Sequence, residues 1–246
     1  MNLLISAFNL ILYQPLLNIL VLLYQYLPGH DFGIAVIVLT ILIRLILYPL
    51  MAQSIKSQKV LSELQPKIQE IQQRFKDDKE KQTKEMMALY QKEKINPFGG
   101  CLPLFIQLPI LFALYRVFWK GFQPGELTNL YSFISHPGAI DPNFLGIINL
   151  AYPSLILAVL AGILQFFQTK MATPQTPKIT QKEGAQMAQF SNMMQKQMLY
   201  FFPLFTIFIL WKLPAAIGLY WVVTTLFSIG QQYLIFKPKH DQSKQS

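Results

Sequence analysis

The 246-residue sequence holds one cysteine, Cys101, so an internal disulfide is excluded and neither a redox compartment nor a cysteine-based metal site can be read from it. Charge is scarce as well: Asp, Glu, Lys and Arg make up 13% of the chain, against roughly 25% in soluble domains, while hydrophobic residues reach 52%. That balance belongs to a chain that lives in a bilayer. HExxH, GxSxG, a P-loop and a membrane aspartate pair are all missing, which leaves the common hydrolase and nucleotide-driven pump chemistries without a motif. His30, His136 and His240 stand apart from one another outside the strong apolar runs and read as solvated side chains. The "GGC" at 99–101 lies mid-chain, where a lipoprotein cleavage signal does not belong, so Cys101 reads as a small packing residue.

The most informative absence is of acids. All 12 Asp and Glu residues fall in connections or terminal segments, yet Arg44 sits within VLTILIRLILYPL (38–50), inside a run from Phe32 to Ile55 with no other charge. A mid-membrane Arg costs at least ~2.5–3.5 kcal/mol on insertion scales and needs a partner or a wet cavity. With no carboxylate in the spans, the partners available to it are neutral: Gln107, Gln165, Gln168 and the indole of Trp221. Arg116 lies beside Trp119 and Lys120 near a span end and reads as a snorkelling side chain.

What is present is a set of apolar runs. A hydrocarbon core of ~30 Å needs about 20 helical residues, and five segments are candidates: 32–55, 101–119, 144–167, 198–211 and 215–236. Their flanks orient them. The connection 56–94 carries ten Lys/Arg and the connection 120–141 carries one, so the former is cytoplasmic by the positive-inside rule. Alternation then puts the Lys-bearing connection 170–196 and the tail 237–246, with Lys237, Lys239 and Lys244, on the same side. The formal net charge of +9 is thus mainly an orientation and anionic-lipid signal, and no sequence-specific nucleic-acid motif accompanies it.

Within 56–94, Leu61, Leu64, Ile68, Ile71 and Phe75 recur at three and four residues, which predicts a helix; KDDK at 76–79 interrupts it, and a second helix through Met86, Met87 and Tyr90 completes an antiparallel hairpin. The fourth run is short: fifteen residues between Lys196 and Lys212 reach roughly 22 Å, which implies bilayer thinning or snorkelling lysines. Residues 1–27 carry no side-chain charge, and the polar Gln14, Asn18 and Gln25 share a side of the helix from Pro15; an interfacial helix on the outer surface is expected.

NPFGGCLPLFIQLPILFALYRVFW (96–119) resembles the second-span signature of the YidC/Oxa/Alb family of membrane protein insertases. GIAVIVLTILIRLILYPL (33–50) resembles the first span of that family, FLGIINL (144–150) the start of the third, and 202–235 the last two, so the resemblance covers about residues 13–236. It implies an all-α five-span bundle around a hydrophilic groove open to the cytoplasm and to lipid, with a cytoplasmic hairpin. By resemblance, Arg44 matches the groove arginine, Gln165 the polar residue of the third span and Trp221 the groove tryptophan; Gln107 joins them from its own span position. The expected organisation is an outer segment 1–31, a core 32–236 and a short basic cytoplasmic tail 237–246, in the short form without a large external domain.

The function implied is nucleotide-independent insertion and chaperoning of newly made membrane proteins in the bacterial cytoplasmic membrane. It is not an enzyme's function and calls for no cofactor or metal. Nascent clients and lipids are the partners, with the ribosome and the Sec translocon as further candidates; the ten-residue tail leaves ribosome contact to the loops. The rival reading is a small-anion transporter or channel with Arg44 as its binding site, against which stands the lack of any internal repeat.

Overall fold

The computed structural model describes residues 2–94, 96, 99, 102–123, 127, 130–172 and 185–236, with the side chains of 2, 104 and 185–196 apart. The chain opens with α1 (Asn2–Phe8), a π-helical turn (Asn9–Tyr13) and α2 (Gln14–Tyr26). Together these form an apolar helix over Leu3–Tyr26, 24 residues long and sufficient by length and composition to cross a membrane. The expected interfacial placement rested on polar residues facing water. Instead Asn18 is buried: its Nδ2 donates to Gln14 O at 2.7 Å and its Oδ1 accepts from the Tyr131 amide at 2.7 Å. Gln25 donates to Ser135 O. The polar side of the helix thus meets the loop over 130–141, and Leu17, Leu20 and Val21 enter the same core as later helices.

The run 32–55 is two helices, α3 (Phe32–Ile46) and α4 (Tyr48–Glu63), bent by 67° about Leu47. Pro49, in the first turn of α4, has no N–H to give to the turn before and its ring crowds that turn's carbonyl, so the helix breaks at this point. Leu64-Gln65-Pro66 repeats the device before α5 (Gln65–Arg74). Asp78 caps α6 (Lys79–Lys92), its Oδ1 accepting from the Lys81 amide at 2.9 Å. Between the hairpin arms Gln82, almost fully buried, donates to Gln72 O at 2.9 Å, and at the base Lys67 pairs with Glu93. That last pair is largely exposed and contributes at most about 1 kcal/mol.

α7 (Leu102–Gly121) carries the second run; Cys101 lies outside the described residues. The third begins later than expected. Residues 143–149 form a small hairpin of β1 (Asn143–Phe144) and β2 (Ile148–Asn149), and α8 (Leu155–Ala172) starts only after Pro153. Leu145 and Gly146 both have positive φ, 49° and 68°, as the tight turn between paired strands demands. The Leu145 amide donates to Asp31 Oδ2, and Asp31 Oδ1 caps α3 through the Ile34 amide, tying this hairpin to the start of the first run. Phe144 lies over Gly33, where a Cβ would stand 2.1 Å from its ring.

α9 (Ala185–Leu210) is 26 residues long, although its apolar part, Gln197–Leu210, is short. The helix therefore does not end near Lys196: no breaker stands there, so helix length and hydrophobic length part company. α10 (Ala215–Phe236) follows the turn at Pro214, its first amides donating to Tyr152 O and Leu150 O. It packs between α3 and α8, and α8 packs on α9. Outward from this bundle Ile156, Phe167, Leu204 and Phe208 are exposed along α8 and α9, the arrangement of a lipid-facing surface. The tail 237–246 and most of the connection before α9 lie outside the described residues.

Candidate functional site

Between α3, α4, α7, α8 and α10 lies a cavity of about 530 Å³. Arg44, in the last turn of α3, is buried to 7% exposure and lines it beside Gln107, Gln165 and Trp221. The chain turns three residues beyond Arg44, at Leu47, so α3 ends within a turn of this side chain.

The guanidinium meets a neutral amide. Arg44 Nη2 lies 3.4 Å from Gln107 Oε1, a long hydrogen bond, and Gln107 Nε2 donates in turn to the Tyr220 hydroxyl. Across the cavity Trp221 Nε1 donates to Gln165 Oε1 at 3.1 Å. Among the described residues no carboxylate is paired with Arg44; the charge is held by dipoles alone. No group of three or more His, Cys, Asp or Glu among the described residues is placed to hold a metal ion. Chemically the described lining residues offer one fixed positive charge with several amides and hydroxyls.

Several lining residues went unread in the sequence. On α10, Thr224, Thr225, Ser228, Gln231 and Gln232 follow Trp221 at three- and four-residue steps, forming a polar stripe down one face of an otherwise apolar helix. Their spacing was the available signal. Gln58, Ser62 and Gln65 extend the lining onto the foot of the hairpin, which only the breaks at Leu47 and Leu64 bring into place.

Arg116 does not simply snorkel. Its Nη1 donates to Asn9 Oδ1 at 2.8 Å and its guanidinium lies 4.7 Å from the Tyr13 ring centroid. Both partners belong to the π-helical turn, which faces α7.

The cavity thus holds a buried arginine with no carboxylate partner among the described residues, beside a helical hairpin. The family described as "60Kd inner membrane protein" matches residues 22–243. The chain belongs to that family. A protein of Fusobacterium nucleatum named "Membrane protein insertase YidC" is 36% identical over 207 residues, covering 84% of this chain and 87% of its own. One of the same name from Clostridium tetani is 36% identical over 219 residues, with 88% of each chain covered. A third, from Syntrophus aciditrophicus, is 38% identical over 224 residues, but this chain spans only 36% of its length. These relatives thus come in two sizes, one close to this chain and one much longer. Membership together with the hydrophobic helices places the chain among bacterial inner-membrane proteins.

Proposed function

We propose that this chain is a membrane protein insertase and chaperone, and that the cavity around Arg44 is the groove through which it acts. The observation that carries the reading is a buried arginine held, among the described residues, by neutral groups in a cavity that also carries several amides and hydroxyls, in a chain whose relatives are named membrane protein insertases. A short hydrophilic client segment entering the groove exchanges bulk water for amides, hydroxyls and a positive charge part-way across the bilayer. That lowers the barrier to crossing without nucleotide hydrolysis. The client's apolar segment then leaves sideways into lipid, driven by hydrophobic partitioning.

The membrane arrangement belongs to the same proposal: five spans, with the hairpin and the C-terminal tail cytoplasmic by the distribution of Lys and Arg. Leu3–Tyr26 is either a further span or an outer-face helix; the burial of Asn18 favours a segment held against the bundle in both cases. The 14-residue apolar part of α9 thins the barrier beside the groove. The hairpin, beside the groove mouth through Gln58, Ser62 and Gln65, receives clients or their targeting factors, the ribosome and the Sec translocon being the candidates.

The test is reconstitution of the purified chain alone in liposomes, without nucleotide, with a single-span client whose tagged tail becomes protease-protected on insertion. Protection above that of empty liposomes is expected. Anion flux through the same vesicles with no client protection assigns Arg44 to a transport site instead and overturns the reading.

A further inference from the structure

We infer that the hairpin end of the cavity is a second subsite, which takes the main chain of an extended client segment by accepting its peptide N–H groups at Gln232. The inference rests on the insertase reading and adds to it what the groove recognises away from Arg44.

Among the described residues, seven of the twenty that line the cavity are glutamine, and Arg44 is the sole charged one. A carboxamide is the same hydrogen-bonding group as a peptide unit, with one acceptor oxygen and N–H donors. A surface built of such groups bonds any extended chain through its backbone, indifferent to side chains. Several of these glutamines are committed within the protein, among them Gln107 to Arg44 and Tyr220, Gln165 to Trp221, and Gln231, whose Nε2 donates to Tyr48 O at 3.1 Å beside the break between α3 and α4.

Gln232 differs. It lines the cavity, is 4% exposed, and among the described residues no donor reaches its Oε1. A buried acceptor left unpaired is destabilising, so the site favours a ligand that brings a donor. Anions bring none. Gln232 lies eleven residues beyond Trp221 on α10, about 16 Å at helical rise. That distance is roughly five residues of extended chain. A client tail whose acidic group sits at Arg44 therefore lays its following backbone along Thr225, Ser228 and Gln232.

The experiment uses the full chain in vesicles of phosphatidylcholine and phosphatidylglycerol, whose headgroups carry no N–H donor. Two clients are compared: one with an uncharged Ala/Ser tail, and one with proline at alternate tail positions, which removes N–H groups without adding charge. Gln232→Leu is expected to lower insertion of the Ala/Ser tail about fivefold, the loss of one neutral hydrogen bond, and to leave the proline-rich tail at its wild-type value. Detergent melting screens for misfolding, and Gln232→Met, similar in length and free of the amide, replaces a Leu variant that unfolds. Equal insertion of the Ala/Ser tail by wild type and variant overturns the subsite. So does an equal loss on both tails, which assigns Gln232 to wetting or packing of the groove. Failure of wild type to insert either client overturns the insertase reading itself.

Discussion

Arg44→Ala lowers insertion of a client with an acidic tail about tenfold relative to a client with a neutral tail, and Arg44→Lys keeps most of that preference. The size follows from the setting of the charge. A hydrogen bond to a charged group is worth about 1.5–3 kcal/mol, and a wet groove with an effective dielectric near 20 places the value towards the low end. Because Arg44 is held by Gln107 at 3.4 Å and by no carboxylate among the described residues, an incoming carboxylate competes with a weak neutral partner, not with an ion pair. Lysine keeps the charge but loses the planar fork, so it attracts the tail with poorer geometry. Protease protection of tagged tails in proteoliposomes measures both variants. Equal insertion of acidic and neutral tails by wild type, Ala and Lys proteins removes electrostatic attraction from the account.

Gly162→Leu unfolds or splits the bundle, and Gly162→Ala destabilises it by about 1–3 kcal/mol through overpacking. At Gly162, α8 touches α9 so closely that an added Cβ would lie 2.4 Å from Ile207 Cγ1, 2.6 Å from its Cδ1 and 3.1 Å from Pro203 O. The side-chain atoms of Ile207 can shift; the Pro203 carbonyl is backbone and cannot do so without moving α9. Ala158 and Ala161 beside it are fully buried, so the contact is built of small residues, as close helix pairs in membranes commonly are. Gln165 and Gln168 stand one to two turns along the same helix, and forcing α8 off α9 displaces the wall they form. Detergent-titrated unfolding followed by tryptophan fluorescence measures the loss; an unchanged midpoint for both variants would show that the two helices do not meet at Gly162.

The residues that line the cavity were legible where they broke a strong pattern. Arg44, Gln107, Gln165 and Trp221 are polar or amphipathic groups in runs that are otherwise apolar, and transfer energetics alone marks them. The stripe on α10 was equally open to inspection: Thr224, Thr225 and Ser228 are small and weakly polar, so each passes for packing until their spacing from Trp221 is counted together with Gln231 and Gln232. The geometry that gathers these side chains was harder to read. Pro49 and Pro66 signal breaks, but a proline early in a helix is also tolerated without one, and only packing decides that the chain bends by 67° after Arg44. The late start of α8 was hidden because Phe144–Leu150 is apolar enough to pass for helix, while the turn at Leu145 and Gly146 depends on Asp31, 114 residues away, for one of its amide partners. The partner of Asn18 was hidden for a similar reason: a polar residue on an apolar helix suggests water, and the Tyr131 amide that it accepts from is remote in sequence. Long-range partners of this kind leave no local periodicity to find.

The most direct test of the groove as the client's path is photocrosslinking from probes placed at Gln165 and Thr225, which line the cavity, and at Ile156 and Phe208, which face outward, against a ribosome-stalled single-span client. Crosslinks from 165 and 225 while the client's tail is entering, absent from 156 and 208 at that stage, are the predicted result. Crosslinks confined to the outward positions, with the cavity positions silent at every chain length, would contradict it.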